Sequence, residues 1–154
     1  MSDGGTDEPY RGAFSGDEHR FALRVYFEDT DAAGIVYYAN YLKFMERARS
    51  DMLRAIGIDQ RAALDAGEGV YAVAEAHIRY RRPARLDDPL VVVSHLGALR
   101  AASATIHQRV MRKDEMLADA TIVAAFLSPD GRPRRQPKAW LDLFAPLVRR
   151  IEAT

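Results

Sequence analysis

At 154 residues, with 22 basic and 22 acidic side chains and no cysteine, the chain has the size of one domain able to bury a real core. The balanced charge gives no argument for a nucleic-acid or anionic-membrane partner. The missing thiols exclude disulfides, thiolate catalysis and cysteine-ligated zinc.

The opening stretch, MSDGGTDEPYRGAFSGDE, lacks the basic-then-apolar order of a secretion signal. No apolar run approaches the ~20 residues that cross a bilayer, so a cytoplasmic protein without a membrane span is expected. Residues 1–18, rich in Gly, Ser, Asp and Glu, read as a disordered tail. Residues 19–137 are expected to form one folded domain, and 138–154 a C-terminal helical extension.

From His19 to Phe27 the apolar Phe21, Leu23, Val25 and Phe27 alternate with Arg20, Ala22, Arg24 and Tyr26, which predicts a strand. An acidic loop follows. Tyr41, Met45, Ala48, Met52 and Ile56 then recur at helical spacing, and Leu42, Phe44 and Leu53 widen the stripe. Gly57 is a natural stop for that helix, and Asp59 to Ala66 predicts a short second one.

Beyond Gly69 the period becomes two. Ala72, Ala74, Ala76, Ile78 and Tyr80 are expected on one face, with Glu75, His77 and Arg79 on the other. RRPARLDDP breaks this strand and Leu90 to Val93 opens the next. Ala102, Ala104, Ile106 and Val110 share a face of a third strand. Arg112 to Glu115 reads as a hairpin turn. Met116, Ala118, Ala120, Ile122, Ala124 and Phe126 share a face of a fourth. From Lys138 to Ile151 a helical pattern returns, interrupted at Pro146. Strand, long helix and then a run of strands with short connections indicate an α+β fold with an antiparallel sheet of about five strands. The alanines let the long helix lie close against it.

The acidic loop admits three readings. DTDAAGIVYYAN, Asp29 to Asn40, matches half of an EF-hand calcium loop, but Ala33 and Asn40 stand where two further ligands belong and a strand precedes it. Asp29 or Asp31 capping a turn before a helix N-terminus is the plain structural alternative, worth about 0.3–1 kcal/mol. The third reading is catalytic. A carboxylate beside an apolar segment is a base or nucleophile, and N–H groups at a helix start hold a developing oxyanion. Such a combination suits acyl transfer from a thioester to water. None of the four histidines lies in a recognisable nucleophile elbow.

The stretch YFEDTDAAGIVYYANYLKFMERARSDMLRAIG, Tyr26 to Gly57, resembles the signature of hot-dog-fold acyl-CoA thioesterases of the 4-hydroxybenzoyl-CoA thioesterase type. It is especially similar to the Tol–Pal-associated group. YRRPARLDDPLVV (Tyr80 to Val93) and SPDGRPRRQP (Ser128 to Pro137) resemble that group too, and the likeness covers Phe21 to Pro137. It implies a curved antiparallel sheet wrapped around one central helix, and Asp31 as the catalytic carboxylate, either attacking the thioester or activating water. It further implies carbonyl polarisation by backbone N–H groups at Val36, Tyr37 and Tyr38, and a site at the interface of a homodimer or homotetramer. Gly34, Ile35, Asn40 and Tyr41 of the motif are expected at the substrate. No metal or separate cofactor is implied, since coenzyme A is part of the substrate.

Many members of the Tol–Pal-associated group have a histidine where this chain has Tyr38; tyrosine resembles the aromatic-acyl branch. Tyr38 is expected to act either through its side chain, by assisting proton transfer, or through its backbone alone. Coenzyme phosphates favour arginine, so Arg81, Arg82 and Arg85, with Arg79, are candidate contacts, and Arg132, Arg134 and Arg135 form a second basic group. Each is equally well read as an edge charge that discourages aggregation. Glu46 on the long helix is a second-choice acid that pairing with Arg49 or Ser50 already explains. The other function class is a non-catalytic module holding an acyl-CoA or an acyl carrier protein in a lipid-synthesis assembly.

Overall fold

A computed structural model describes residues 6–149. Six strands, β1 (Ala13–Ser15), β2 (Glu18–Arg24), β3 (Val70–Tyr80), β4 (Pro89–Leu99), β5 (Ser103–Arg112) and β6 (Glu115–Leu127), form one sheet in the order β1-β2-β4-β5-β6-β3. Every neighbouring pair is antiparallel. The helices are α1 (Asn40–Ala55), α2 (Gln60–Asp65) and α3 (Lys138–Phe144). Among the described residues no helix is long and apolar enough to cross a membrane.

The expected stripe of α1 is what docks it. Tyr41, Phe44, Met45, Ala48 and Met52 are buried, recurring at three- and four-residue steps that keep one face on the sheet. The first four pack with Val25, Leu90, Val92, Val110, Ala118, Ala120 and Ile122, and Met52 joins Leu96, Ala104, Ile106, Ala124 and Phe144. The alanines of β6 bring the backbone of the sheet close to the helix. Gly57, at φ +94, takes the left-handed conformation that ends α1.

Three expectations change. The tail stops short of residue 18, because Ala13–Ser15 (β1) pair antiparallel with residues 18–20 of β2 through a turn at Gly16. Phe14 packs edge-on against His19, with ring centroids 5.2 Å apart. Tyr10 meets Phe21 in the same way at 5.4 Å, and a composition-based reading overlooks these two aromatic anchors among polar residues. The Gly12 N–H also donates to Asp51 Oδ2 at 2.9 Å, and a Cβ on Gly12 would lie 2.2 Å from the Arg20 carbonyl oxygen. The part of the tail at residues 1–5 lies outside the described residues.

Secondly, the inner face of β3 follows the expectation at Ala76, Ile78 and Tyr80 but not before them, where Tyr71 and Val73 take the places expected for Ala72 and Ala74. A bulge between Val73 and Glu75 leaves Ala74 unpaired, and one extra residue reverses the alternation. Tyr71, Val73, Ala76, Ile78 and Tyr80 oppose the inward residues Phe126, Ala124, Ile122, Ala120 and Ala118 of β6. Ala72 opposes Ala125 on the other face.

The C-terminal segment, finally, is part of the core. Phe144 is buried, Trp140 stacks on Tyr71 at 5.9 Å, and Val148 bridges Leu96 in parallel. The chain leaves the helical path after Phe144, entering a 3-10 turn at Ala145–Leu147 that contains Pro146. The remainder of the expected helix, residues 150–151, lies outside the described residues.

Candidate active site

The loop between β2 and α1 is built from two small turns that use its aspartates separately. Asp29 closes a 3-10 turn, its Oδ2 accepting the Tyr26 N–H at 2.8 Å, and it is only 8% exposed. Asp31 is exposed, and its Oδ1 accepts the Ala33 N–H at 2.9 Å. The Asp31 N–H reaches the Ile35 carbonyl at 2.9 Å, which draws residues 31–35 into a tight loop around Gly34 at φ +77. Thr30–Val36 and Ile35–Arg85 bridges pin this loop to the segment before β4. The two carboxylates therefore serve different turns, rather than converging as a calcium loop requires. Asp29 reverts to the turn role and Asp31 is left presented to solvent.

The helix start is unusual in having no side-chain cap. Ala39 occupies the cap position, and the Asn40 amide, instead of capping, donates to the Asp29 carbonyl at 2.9 Å. Asn40 thus ties the acidic loop to the helix. The first N–H groups of a helix lack internal partners, and here their distribution corrects the expected oxyanion donors. The Val36 N–H is taken by the Ala84 carbonyl at 2.9 Å and the Tyr37 N–H by the Asp29 carbonyl at 3.0 Å. Those two groups are spent on holding the loop. The N–H groups of Tyr38 and Ala39 have no hydrogen-bond partner among the described residues, so the free donors begin at Tyr38.

Aromatic rings surround this point. Tyr80 donates its hydroxyl to the Tyr38 carbonyl at 2.9 Å and meets the rings of Tyr38 and Tyr41 edge-on at 6.1 and 5.4 Å. Tyr41 is buried, and its oxygen accepts the Ala84 N–H at 3.1 Å; burial pushes its hydroxyl pKa up. A cleft of about 260 Å³ results, lined by Ile35, Val36, Tyr38, Tyr41, Tyr80 and the Arg81–Pro83 segment. Of the expected site residues, Ile35, Val36, Tyr38, Tyr41, Arg81 and Arg82 line it. Asp31, Gly34, Tyr37 and Asn40 belong to the loop behind it, and Arg85 flanks that loop.

A scan of family models matches residues 33–118 to the thioesterase superfamily. The acyl-CoA thioesterase YbgC of Haemophilus influenzae is 41% identical over 105 residues, 68% of this chain and 77% of that protein. The acyl-CoA thioester hydrolase YbgC of Escherichia coli O157:H7 is 37% identical over 122 residues, 78% and 90% of the two chains. This chain belongs to the thioesterase superfamily. The crystal structure of a probable thioesterase from Bartonella henselae superposes with a TM-score of 0.74 at 33% identity, over 78% of this chain and 99% of that one. The wrapped sheet with its central helix is accordingly the hot-dog fold that the sequence resemblance implied.

The arginines of this thioesterase domain divide on inspection. Arg81 is committed to Asp119, Nε to Oδ1 2.7 Å, and Arg82 reaches Glu115 at 3.3 Å. Arg85 has an exposed side chain that makes no hydrogen bond or ion pair among the described residues, while its N–H donates to Asp88 at 2.8 Å. In the second basic group, Arg134 caps α2 from afar by donating to the Gly67 and Glu68 carbonyls, and Arg132 faces Asp130. Glu46 accepts the Ser50 hydroxyl at 2.8 Å, one of the two pairings expected for it.

Sequence reasoning passed over the buried polar residues. Gln108, 2% exposed, lies on the inner face of β5 between Ile106 and Val110. Its amide nitrogen donates to the Met45 carbonyl and Ser94 Oγ, both at 3.0 Å, and its oxygen accepts a hydrogen bond from Arg49 Nη1 at 2.9 Å. His19 and Asp51 form a second buried pair, 2.7 Å apart. The signal available was the break in apolar alternation at position 108. His95 and His107, on neighbouring strands, stack at 5.1 Å beside Arg149, away from the cleft lining.

Proposed function

We propose that this chain hydrolyses acyl-CoA thioesters to the free acid and coenzyme A, with Asp31 as nucleophile or general base. The observation that carries this is the pairing of an exposed carboxylate, held in a tight loop, with an uncapped helix start whose Tyr38 and Ala39 N–H groups are unused. As either the Asp31 carboxylate or a water it deprotonates adds to the thioester carbon, charge moves onto the carbonyl oxygen. Two N–H groups at the positive end of α1 stabilise that charge. The thiolate then leaves with little need of a proton. This gives the free acid directly when water is the nucleophile, or a mixed anhydride with Asp31 that a water molecule opens to the free acid when the carboxylate attacks. Both routes use the same ionised carboxylate and the same donors.

The coenzyme would leave the cleft past Arg81, Arg82 and Arg85, of which Arg85 has its guanidinium uncommitted. Acyl carrier protein thioesters present the same bond and form the second substrate class. The reading places the protein in the cytoplasm as a homodimer or homotetramer. β3 supports that assembly: its outer edge has no strand partner among the described residues, and Val70 and Val73 are 38% and 50% exposed. A solution mass equal to one 17.2 kDa chain would refute it.

The test is release of free thiol from a panel of acyl-CoAs by the wild type and by Asp31→Asn. Loss of an acid–base group lowers kcat by about 10²–10⁴-fold. Undiminished turnover in Asp31→Asn removes Asp31 from the mechanism, and wild-type protein that binds the esters without releasing thiol is the non-catalytic binding module instead.

A further inference from the structure

Arg49 is a charge without a counter-charge. It stands on α1 one turn beyond Met45, half-buried between helix and sheet, and its one hydrogen bond among the described residues goes to the neutral amide oxygen of Gln108. That oxygen is fixed in place, since the amide nitrogen of Gln108 is engaged by Met45 and Ser94 on its other side. Arg49 forms no ion pair among the described residues. Of the acids near it on α1, Glu46 is exposed and turned to Ser50, and Asp51 is engaged by His19 and Gly12. Burial pulls the Arg49 pKa below the usual guanidinium range, with Glu46 opposing. A guanidinium always carries its charge and has five N–H donors, and a charge drawn from water without a partner is strongly disfavoured. This arrangement calls for an anion.

The space beside Arg49 is suited to hold one. It borders an outer cleft of about 310 Å³, shared with Leu42, Lys43, Glu46, Val73 and Ala76, and an inner cavity of about 120 Å³ reaching Leu53 and Phe144. The bulge in β3 leaves Val73 at the junction of the two. Apart from Lys43, Glu46 and Arg49 the walls of the outer cleft are apolar, and those three charges sum to a positive floor. α1 links the cleft to the candidate active site. Arg49 follows Ala39 by ten residues, about 15 Å at 1.5 Å per residue. Helical side chains lean toward the N-terminus, which brings the guanidinium to about 10 Å from the free N–H groups. An extended carbon chain advances about 1.25 Å per C–C bond of about 1.5 Å, so about six to eight carbons span the gap.

We propose that Arg49 is a specificity-determining residue that receives a carboxylate at the far end of the acyl group, so that the preferred substrates are thioesters of dicarboxylic acids of about six to eight carbons. This rests on the acyl-CoA reading of the Asp31 site. A methyl-terminated chain threading past Arg49 into the inner cavity, or a carboxylate from a second copy of the chain, would occupy the same place and gives different results.

The experiment compares kcat/KM for adipyl- and suberyl-CoA with hexanoyl- and octanoyl-CoA, in the wild type, Arg49→Gln and Arg49→Lys. The wild type is expected to favour each carboxylated ester about tenfold or more, as hydrogen bonds between charged groups imply. Arg49→Gln abolishes that ratio and Arg49→Lys retains part of it. A wild type that favours the methyl-terminated esters overturns the proposal. So does an Arg49→Gln protein that lowers both classes equally, or one that changes solution mass while keeping the ratio. If no ester is hydrolysed, the reading of Asp31 fails. Equilibrium titration of the wild type with the same four esters still decides Arg49: equal affinities for the two classes refute its role.

Discussion

Replacing Asp51 with alanine removes a clip that joins three elements. Asp51 Oδ2 accepts from His19 Nε2 at 2.7 Å and from the Gly12 N–H at 2.9 Å, and so ties β2 and the strand preceding it to the middle of α1. His19 is fully buried and Asp51 is 5% exposed, so water cannot replace the lost acceptor. Each hydrogen bond to a charged group contributes about 1.5–3 kcal/mol. Relief of the carboxylate's own desolvation offsets part of the loss, leaving about 3–5 kcal/mol, the scale of breaking a buried pair from one side. At about 2–4 °C per kcal/mol for a chain of this size, the melting temperature falls by about 6–20 °C. Asp51→Asn keeps an oxygen able to accept both bonds and loses only their charge assistance, about 1 kcal/mol per bond and about 2 kcal/mol in all. Urea unfolding, followed by circular dichroism and by the fluorescence of the single tryptophan, Trp140, which stacks on Tyr71, measures both variants. An Asp51→Ala protein within about 1 kcal/mol of the wild type would refute the clip. Equal losses in the two variants would show that charge, and not the number of acceptors, decides.

Two further outcomes follow from the same geometry. Tyr38→Phe is expected to leave kcat close to wild type, because the side chain is 61% exposed and the proposed contribution comes from its backbone N–H; a large loss in thiol release would assign the work to the hydroxyl. Burial lowers the pKa of His19 below 6.5, with Asp51 opposing. The unfolded chain then binds the extra proton first, so the stability that neutral His19 provides is complete above 6.5 and is lost as pH falls toward its folded-state pKa. His95, lowered by burial, Arg149 and His107, acts in the same direction. The difference in urea stability between wild type and His19→Gln, measured from pH 7.5 to 5, isolates the His19 share and should shrink with acidification.

Much of this molecule was legible because its signals are local. A stripe at helical spacing from Tyr41 to Met52 can only be buried on one side, and the alternation of β5 and β6 fixes which residues meet it. The acidic loop was legible for another reason: its Asp, Gly and Asn positions each serve a backbone requirement within a dozen residues. What escaped were the consequences of pairing over long separations. The bulge at Ala74 leaves no composition signal, yet it decides that Val73 and not Ala72 faces the cleft. Gln108 looks like a lapse in an apolar strand until Met45, Ser94 and Arg49 are brought around it.

The same distinction applies to the proposed oxyanion donors. Counting along the motif makes Val36, Tyr37 and Tyr38 equivalent, since each lies near a helix start. Only the folded chain shows that Ala84, from the segment before β4, and Asp29, from the preceding turn, consume the first two N–H groups. Those bonds hold the loop rigid while leaving Tyr38 and Ala39 open, so the site's precision depends on a contact made some fifty residues away in the chain. Catalytic position and loop stability are therefore divided among successive N–H groups of a single short segment, and a substitution that loosens the Ala84 contact should damage the site without touching any residue that meets the substrate.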